Sequence, residues 1–247
     1  MTRLEGFGMN RTFQPITEGI RRLDIPFDHL YTSVFLIEGD RPILIDSATT
    51  KDDVEGIILP ALAACGINAD TEGDLVITHR HGDHNGGTEA LLSALPRFTF
   101  RSLAAKETLG TLEAVPLGGH TLDSMGYFDT RTRTLMTGDG LQYYGVGKYG
   151  CSIVNADVYE ETLARVRALA PDSLLPSHAF VGGTAQAIGT EEAARATDAA
   201  FAVWEEIKRF VREGDGDVEA LAQAFRTQNP TLPPLPRITI KAILAME

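Results

Sequence analysis

Cysteine is scarce in this chain of 247 residues: there are two, Cys65 and Cys151, with no C-x-x-C pair and no spacing that would build a disulfide framework. The expectation is two reduced thiols in a cytoplasmic protein. Positive charge is also in short supply, with 22 Lys and Arg against 34 Asp and Glu and a formal net charge of −12. A surface of that sign repels phosphate backbones and anionic leaflets, which argues against nucleic-acid and membrane partners. Apolar runs fall far short of the ~20 residues that a spanning helix needs. Residues 1–20, MTRLEGFGMNRTFQPITEGI, contain no apolar core of a leader, so no secretory signal is expected. What the chain does have is 43% hydrophobic residues. Over this length they can build the core of one large domain, or of a domain with an appendage.

The pattern alternates between strands and helices. Tyr31–Ile37 and Pro42–Ile45 read as strands joined at Gly39-Asp40, with Asp46 at the exit of the second. Thr50 and Asp53 resemble a capping box, and Val54, Ile57, Ile58, Ala61, Leu62 and Cys65 follow at helical spacing, with a kink expected at Pro60. Asp74–Thr78 reads as a buried strand, and Thr88 as the cap of a helix that stops at Pro96. Ser124–Phe128 and Thr132–Thr137 read as a hairpin, Val158–Ala170 as a helix, and SLLPS as a strand before His178. Beyond Gly189 the character becomes helical. One stripe carries Phe201, Trp204, Ile207 and Val211, a second helix follows Asp217, and the tail ends in the apolar ITIKAILAM. The tail suggests a homodimer contact. The expected organisation is a main domain over 1–189 with helices and tail over 190–247 packing on it.

Three of the six histidines fall within LVITHRHGDHNGG, residues 75–87. Side chains two apart on extended backbone point the same way, so His79 and His81 can reach one metal ion. His84 follows Asp83 directly, so that pair projects elsewhere unless the chain turns, which Gly82 permits. The spacing therefore suggests two neighbouring metal sites fed by one loop. Imidazole and carboxylate ligands without thiolate suit zinc, iron or manganese. His120 in LGGHTLDS, Asp139 in MTGDG and His178 in LPSHAF are further candidate ligands. Each lies at a strand end or in the turn after it, where a rigid sheet can hold a site. The sixth histidine, His29, precedes the first expected strand and reads as a surface or packing residue.

THRHGDHNGG resembles the T-H-x-H-x-D-H-x-G-G signature of the metallo-β-lactamase superfamily, and GGHT, TGDG and PSH follow in that family's order. The resemblance covers roughly residues 31 to 183. It implies an α/β (α+β) fold, a four-layer αββα sandwich with the metals at one edge of the sheets, here with a C-terminal helical appendage. It also implies two divalent ions, with His79, His81 and His120 on one and Asp83, His84 and His178 on the other. Asp139 would bridge them, and Asp46 would support a ligand from behind. Two features depart from the family pattern: a short separation between His84 and His120, and GGHT in place of the commoner PGHT.

The activity so implied is metal-dependent hydrolysis by a hydroxide shared between two ions, most readily zinc, with iron or manganese as substitutes. Asp83 and Asp139 would be the catalytic carboxylates. A β-lactam substrate is disfavoured by the lack of a leader and by aspartate at 139, where a main secreted lactamase class has cysteine. RNA is disfavoured by the charge. A small ester, thioester or lactone remains, as in glyoxalase II-like and lactonase-like relatives. Tyr143 and Tyr144 in GLQYYGVGKYG are candidates for a substrate pocket. The alternatives are a mononuclear iron enzyme resembling persulfide dioxygenases, a phosphodiesterase, and a non-catalytic binding module.

Overall fold

The computed structural model describes residues 11–246. The stretch read as lacking a leader therefore falls in part, over residues 1–10, outside the described residues. The chain divides after Ala104 into two compact units.

The first unit is built on one mixed sheet in which strand order follows the chain. Its strands are β1 (Gln14–Thr17), β2 (Ile20–Phe27), β3 (Leu30–Ile37), β4 (Ile43–Ile45), β5 (Gly73–Val76) and β6 (Phe98–Phe100). β1 to β4 form an antiparallel meander, whereas β4, β5 and β6 run parallel. Such parallel neighbours require crossovers. The first is the helical run α1 (Lys51–Asp53), a π-helical stretch over Val54–Ile58, and α2 (Leu59–Ala64). The capping box between Thr50 and Asp53 is present, and Pro60 stands in the first turn of α2, just after the π-helical stretch. Val34, Leu36 and Leu44 of the sheet pack with Val54, Ile58 and Leu62 of this run in one buried cluster.

Two expectations here need correcting. β1 and β2 were not foreseen, because Ile20–Phe27 mixes Arg22 and Asp24 with apolar residues. In the sheet Arg22 Nε donates to Asp24 Oδ1 at 2.6 Å, so the charges neutralise each other. His29 thus sits in the two-residue loop between β2 and β3, half exposed and 3.2 Å from Asp28, instead of ahead of the first strand. Thr88 does not cap its helix: α4 (Thr88–Ala94) has Gly87 in that position. The Thr88 hydroxyl instead meets Asn85 and Ser47.

The second unit repeats the order of the first. β7 (Thr108–Leu109), β8 (Leu112–Pro116), β9 (Met125–Asp129) and β10 (Thr134–Gly138) form an antiparallel meander. The helix α5 (Ala156–Leu169) then crosses over to the parallel strand β11 (Ser173–Pro176), and β12 (Ala187–Ile188) closes the edge antiparallel to it. Asn155 caps α5 by accepting from Val158 N–H at 3.0 Å.

The C-terminal helices α6 (Thr190–Glu213), α7 (Val218–Gln228) and α8 (Arg237–Leu244) belong to this unit. α6 buries Trp204, Ile207 and Val211 as its stripe suggests, and Trp204 meets Tyr159 of α5 edge-on at 4.9 Å. Phe201 is only partly buried, under the guanidinium of Arg167. The apolar tail forms α8. Ile240 and Ile243 are buried, and Thr239 is bonded to the backbone of Cys151 and Ile153. Among the described residues no helix is long and apolar enough to cross a membrane.

Candidate metal centre

In the first unit the candidate ligands follow β5. His79 Nε2 and His81 Nδ1 stand 3.0 Å apart, as the two-residue period of extended backbone requires. The chain then enters the single helical turn α3 (Gly82–Asn85), which buries Asp83 and His84. Gly82 keeps an ordinary right-handed conformation there, so the turn does not use the freedom expected of it.

The glycines that matter are Gly86 and Gly87. A Cβ on them would lie 2.0 Å from Thr49 O and 2.1 Å from Ser47 O. Only glycine lets this loop close against the loop leaving β4, where Ser47 N–H donates to His84 O at 2.8 Å. Asp46 takes a left-handed conformation (φ 68°) in that loop, which turns its carboxylate into the cluster. It accepts from Thr78 N–H at 2.7 Å and Thr78 Oγ1 at 2.9 Å, and its Oδ2 lies 2.8 Å from His84 Nδ1.

Those contacts fix the chemistry of His84. The Asp46 carboxylate can only accept, so Nδ1 carries a proton and Nε2 points the other way. It points at a second carboxylate, Asp83 Oδ2, 3.3 Å distant. That oxygen also accepts from the buried Thr32 hydroxyl of β3 at 2.9 Å. Sequence reasoning missed Thr32, since nothing in a strand pattern marks a hydroxyl 51 residues from its acceptor.

In the second unit the ligands follow β8, β10 and β11. His120 Nδ1 donates to Ser152 O at 2.7 Å, and its Nε2 faces Asp139 Oδ2, 3.5 Å away. The other oxygen of the same carboxylate, Oδ1, lies 3.3 Å from His178 Nε2. All three side chains are buried. The ring of His178 meets Phe180 edge-on at 5.6 Å.

Each unit therefore brings its own candidates together, and in each an imidazole nitrogen faces a carboxylate. A cation between the two atoms, a proton or a metal ion, makes such an approach favourable. Ligand atoms ~2.0–2.2 Å from one tetrahedral ion stand about 3.3 Å apart, which matches these separations. The donor sets thus fit divalent metal ions, with Asp46 and Ser152 O holding the distal imidazole nitrogens in the supporting role that metal-bound histidines need.

The two pocket candidates are committed to α6. The Tyr143 hydroxyl donates to Ala196 O at 3.1 Å from a buried ring, and burial raises its pKa. Tyr144 donates to Glu206 Oε2 at 2.6 Å, and burial together with that acceptor pushes its phenol up to about 12.

No family model matches the chain. An uncharacterized protein of Bacillus subtilis, YobT, is 27% identical over 45% of this chain and 62% of its own length. The lactamase-like protein vrtG of Penicillium aethiopicum is 27% identical over 43% of this chain and 38% of its own length. The chain thus spans less than two thirds of either curated relative. Among solved structures, a metallo-beta-lactamase family protein from Thermus thermophilus aligns with a TM-score of 0.69 at 15% identity, covering 94% of this chain and 92% of that one. Rubredoxin oxygen:oxidoreductase from Desulfovibrio gigas aligns with a TM-score of 0.66 at 15% identity, covering 94% and 75%. With two mixed sheets and their helices, and with histidine and aspartate clusters at the strand ends, this chain is a protein of the metallo-β-lactamase fold.

Proposed function

We propose that the chain is a metal-dependent hydrolase acting on a small ester, thioester or lactone. The observation that carries the reading is Asp139, whose two oxygens face the Nε2 atoms of two different histidines at 3.5 and 3.3 Å. A carboxylate placed so between two imidazoles suits a bridge between two ions. In this reading the metal ligands are His79, His81, Asp83 and His84 in the first unit and His120, Asp139 and His178 in the second, the residues that the family resemblance implies. Zinc suits the donor set best. Divalent ions held there supply a water of near-neutral pKa and polarise the bond under attack.

The chain's own residues do the rest. Asp83, pinned by Thr32, is the carboxylate that takes the proton of the attacking water and passes it to the leaving group. Asp46 and Ser152 O keep His84 and His120 in the tautomers that leave Nε2 free to ligate. No cysteine competes as nucleophile: burial raises the pKa of both thiols, Cys151 far more than Cys65. The partner in this reading is a small organic molecule and the compartment the cytoplasm.

The fold likeness to an oxidoreductase favours a second reading, iron-dependent redox chemistry on the same donors. Elemental mass spectrometry of protein purified without added metal separates the two. About two zinc or manganese ions per chain, with chelator-sensitive turnover of nitrophenyl esters, thioesters or lactones, supports the hydrolase. About one iron per chain without such turnover overturns it. Asp139→Ala is expected to lower metal content and turnover together.

A further inference from the structure

Gln142 lies in the loop after Asp139 and is 2% exposed. Its amide nitrogen donates to Asp139 O at 2.9 Å, and its amide oxygen accepts from Ser152 N–H at 3.2 Å. Ser152 O is the acceptor for His120 Nδ1 at 2.7 Å. One side chain therefore joins the backbone of Asp139 to the residue that orients His120. The amide cannot be flipped, because a carbonyl only accepts and a backbone N–H only donates.

The backbone of Gln142 is fixed as well. Its N–H donates to Tyr159 Oη at 3.0 Å, and its carbonyl accepts from Gly145 N–H at 2.6 Å. Tyr159 is fully buried, and burial raises the pKa of its phenol, so it persists as a neutral, oriented group. The next residue, Tyr143, is held at φ 46°, a conformation that non-glycine residues rarely adopt. A loop that tolerates such strain is over-determined by its contacts.

We propose that Gln142 is a positioning residue that sets how Asp139 and His120 face each other, and so sets the metal affinity of that pair. Its polar groups link the segment that carries Asp139 to the segment whose Ser152 carbonyl accepts from His120. The inference rests on the metal reading above, but it concerns a residue outside any ligand set.

Two variants test it. Gln142→Glu keeps shape and the acceptor for Ser152 N–H, but sets a carboxylate oxygen against Asp139 O. Gln142→Met keeps length and removes both bonds. Zinc affinity is measured by competition with a chromophoric chelator, the visible spectrum is recorded after cobalt(II) substitution, and melting of the metal-free protein reports the fold. Both variants are expected to bind zinc about 10–100-fold more weakly, the range typical of residues that support metal ligands. The cobalt bands are expected to shift, and both metal-free variants to melt lower than the parent yet remain folded at the temperature of the titration. Unchanged affinity and cobalt spectrum in a folded variant, beside a parent that binds tightly, overturn the role of Gln142. A parent that takes up no zinc or cobalt instead overturns the metal reading, and the inference with it.

Discussion

His84 Nδ1 lies 2.8 Å from Asp46 Oδ2, with both side chains fully buried. Asp46 takes three bonds in all, two from Thr78 and one from His84, and so ties the loop leaving β4 to the histidine loop after β5. Asp46→Ala removes the acceptor that keeps the His84 proton on Nδ1 and leaves buried donors without a partner. Stability is expected to fall by about 3 kcal/mol, from the cost of stranding buried polar groups. Metal affinity should fall about 10–100-fold. Urea unfolding and chelator competition measure the two effects, and an unchanged metal affinity would reduce Asp46 to an architectural residue.

Thr32 and Asp83 give a cleaner separation of roles. Thr32→Val keeps the shape of a buried side chain and removes the bond to Asp83 Oδ2. A hydrogen bond to a charged group contributes about 1.5–3 kcal/mol. If Asp83 handles the proton, turnover of the best ester or thioester substrate should fall about tenfold or more, and Thr32→Ser should restore most of it. Equal rates for the two variants would show that the hydroxyl has no part in the reaction.

What could be read from the sequence was what local geometry encodes. The pairing of His79 with His81 follows from a side-chain period of two, and the burial of Asp83 and His84 beyond them follows from the turn. The capping box of Thr50 and Asp53 and the stripe of Trp204, Ile207 and Val211 are likewise local patterns that survive into the fold. Thr32, Ser152 and Gln142 could not be read this way. Thr32 and Ser152 meet partners 51 and 32 residues away, Gln142 ties Asp139 to a residue 10 positions on, and Ser152 acts through backbone atoms that every residue possesses. Strand β2 escaped because an ion pair hides its alternation, and β7 because two residues carry no period. For the aromatic pair Tyr143 and Tyr144, composition shows no sign of the acceptors on α6 that hold their hydroxyls.

The Gly86-Gly87 pair leads to a prediction about close approach. Gly86 ends one helical turn and Gly87 stands at the cap of α4. Here an added Cβ meets backbone oxygens at 2.0 and 2.1 Å, and those atoms cannot rotate away. Gly86→Ala and Gly87→Ala are each expected to destabilise by about 2–3 kcal/mol, in the range of overpacking. Both should also weaken metal binding by moving His84. Thermal melting and zinc titration would show it, and a neutral or stabilising alanine would mean that the two loops are not in close contact.

Acid should unsettle the first unit through Asp74. Its side chain is 1% exposed and bonded to Arg41 Nε at 2.5 Å and Arg101 Nε at 2.8 Å. Burial raises the carboxyl pKa, but hydrogen bonds and charge from the two guanidiniums outweigh it and hold the group below its ordinary value. A carboxylate depressed in the folded state binds its proton more weakly than in the unfolded chain. Its stabilisation is complete above the unfolded pKa of ~3.9 and disappears as pH falls through the lower, folded value. Asp74→Asn is therefore expected to cost about 2 kcal/mol at pH ~7, moderated because both arginines are partly exposed to solvent. The gap between parent and variant should narrow as pH drops below ~4. Urea unfolding of both proteins across that range measures it. A gap that stays constant with pH would mean that the Asp74 contribution is shape and hydrogen bonding, independent of its charge.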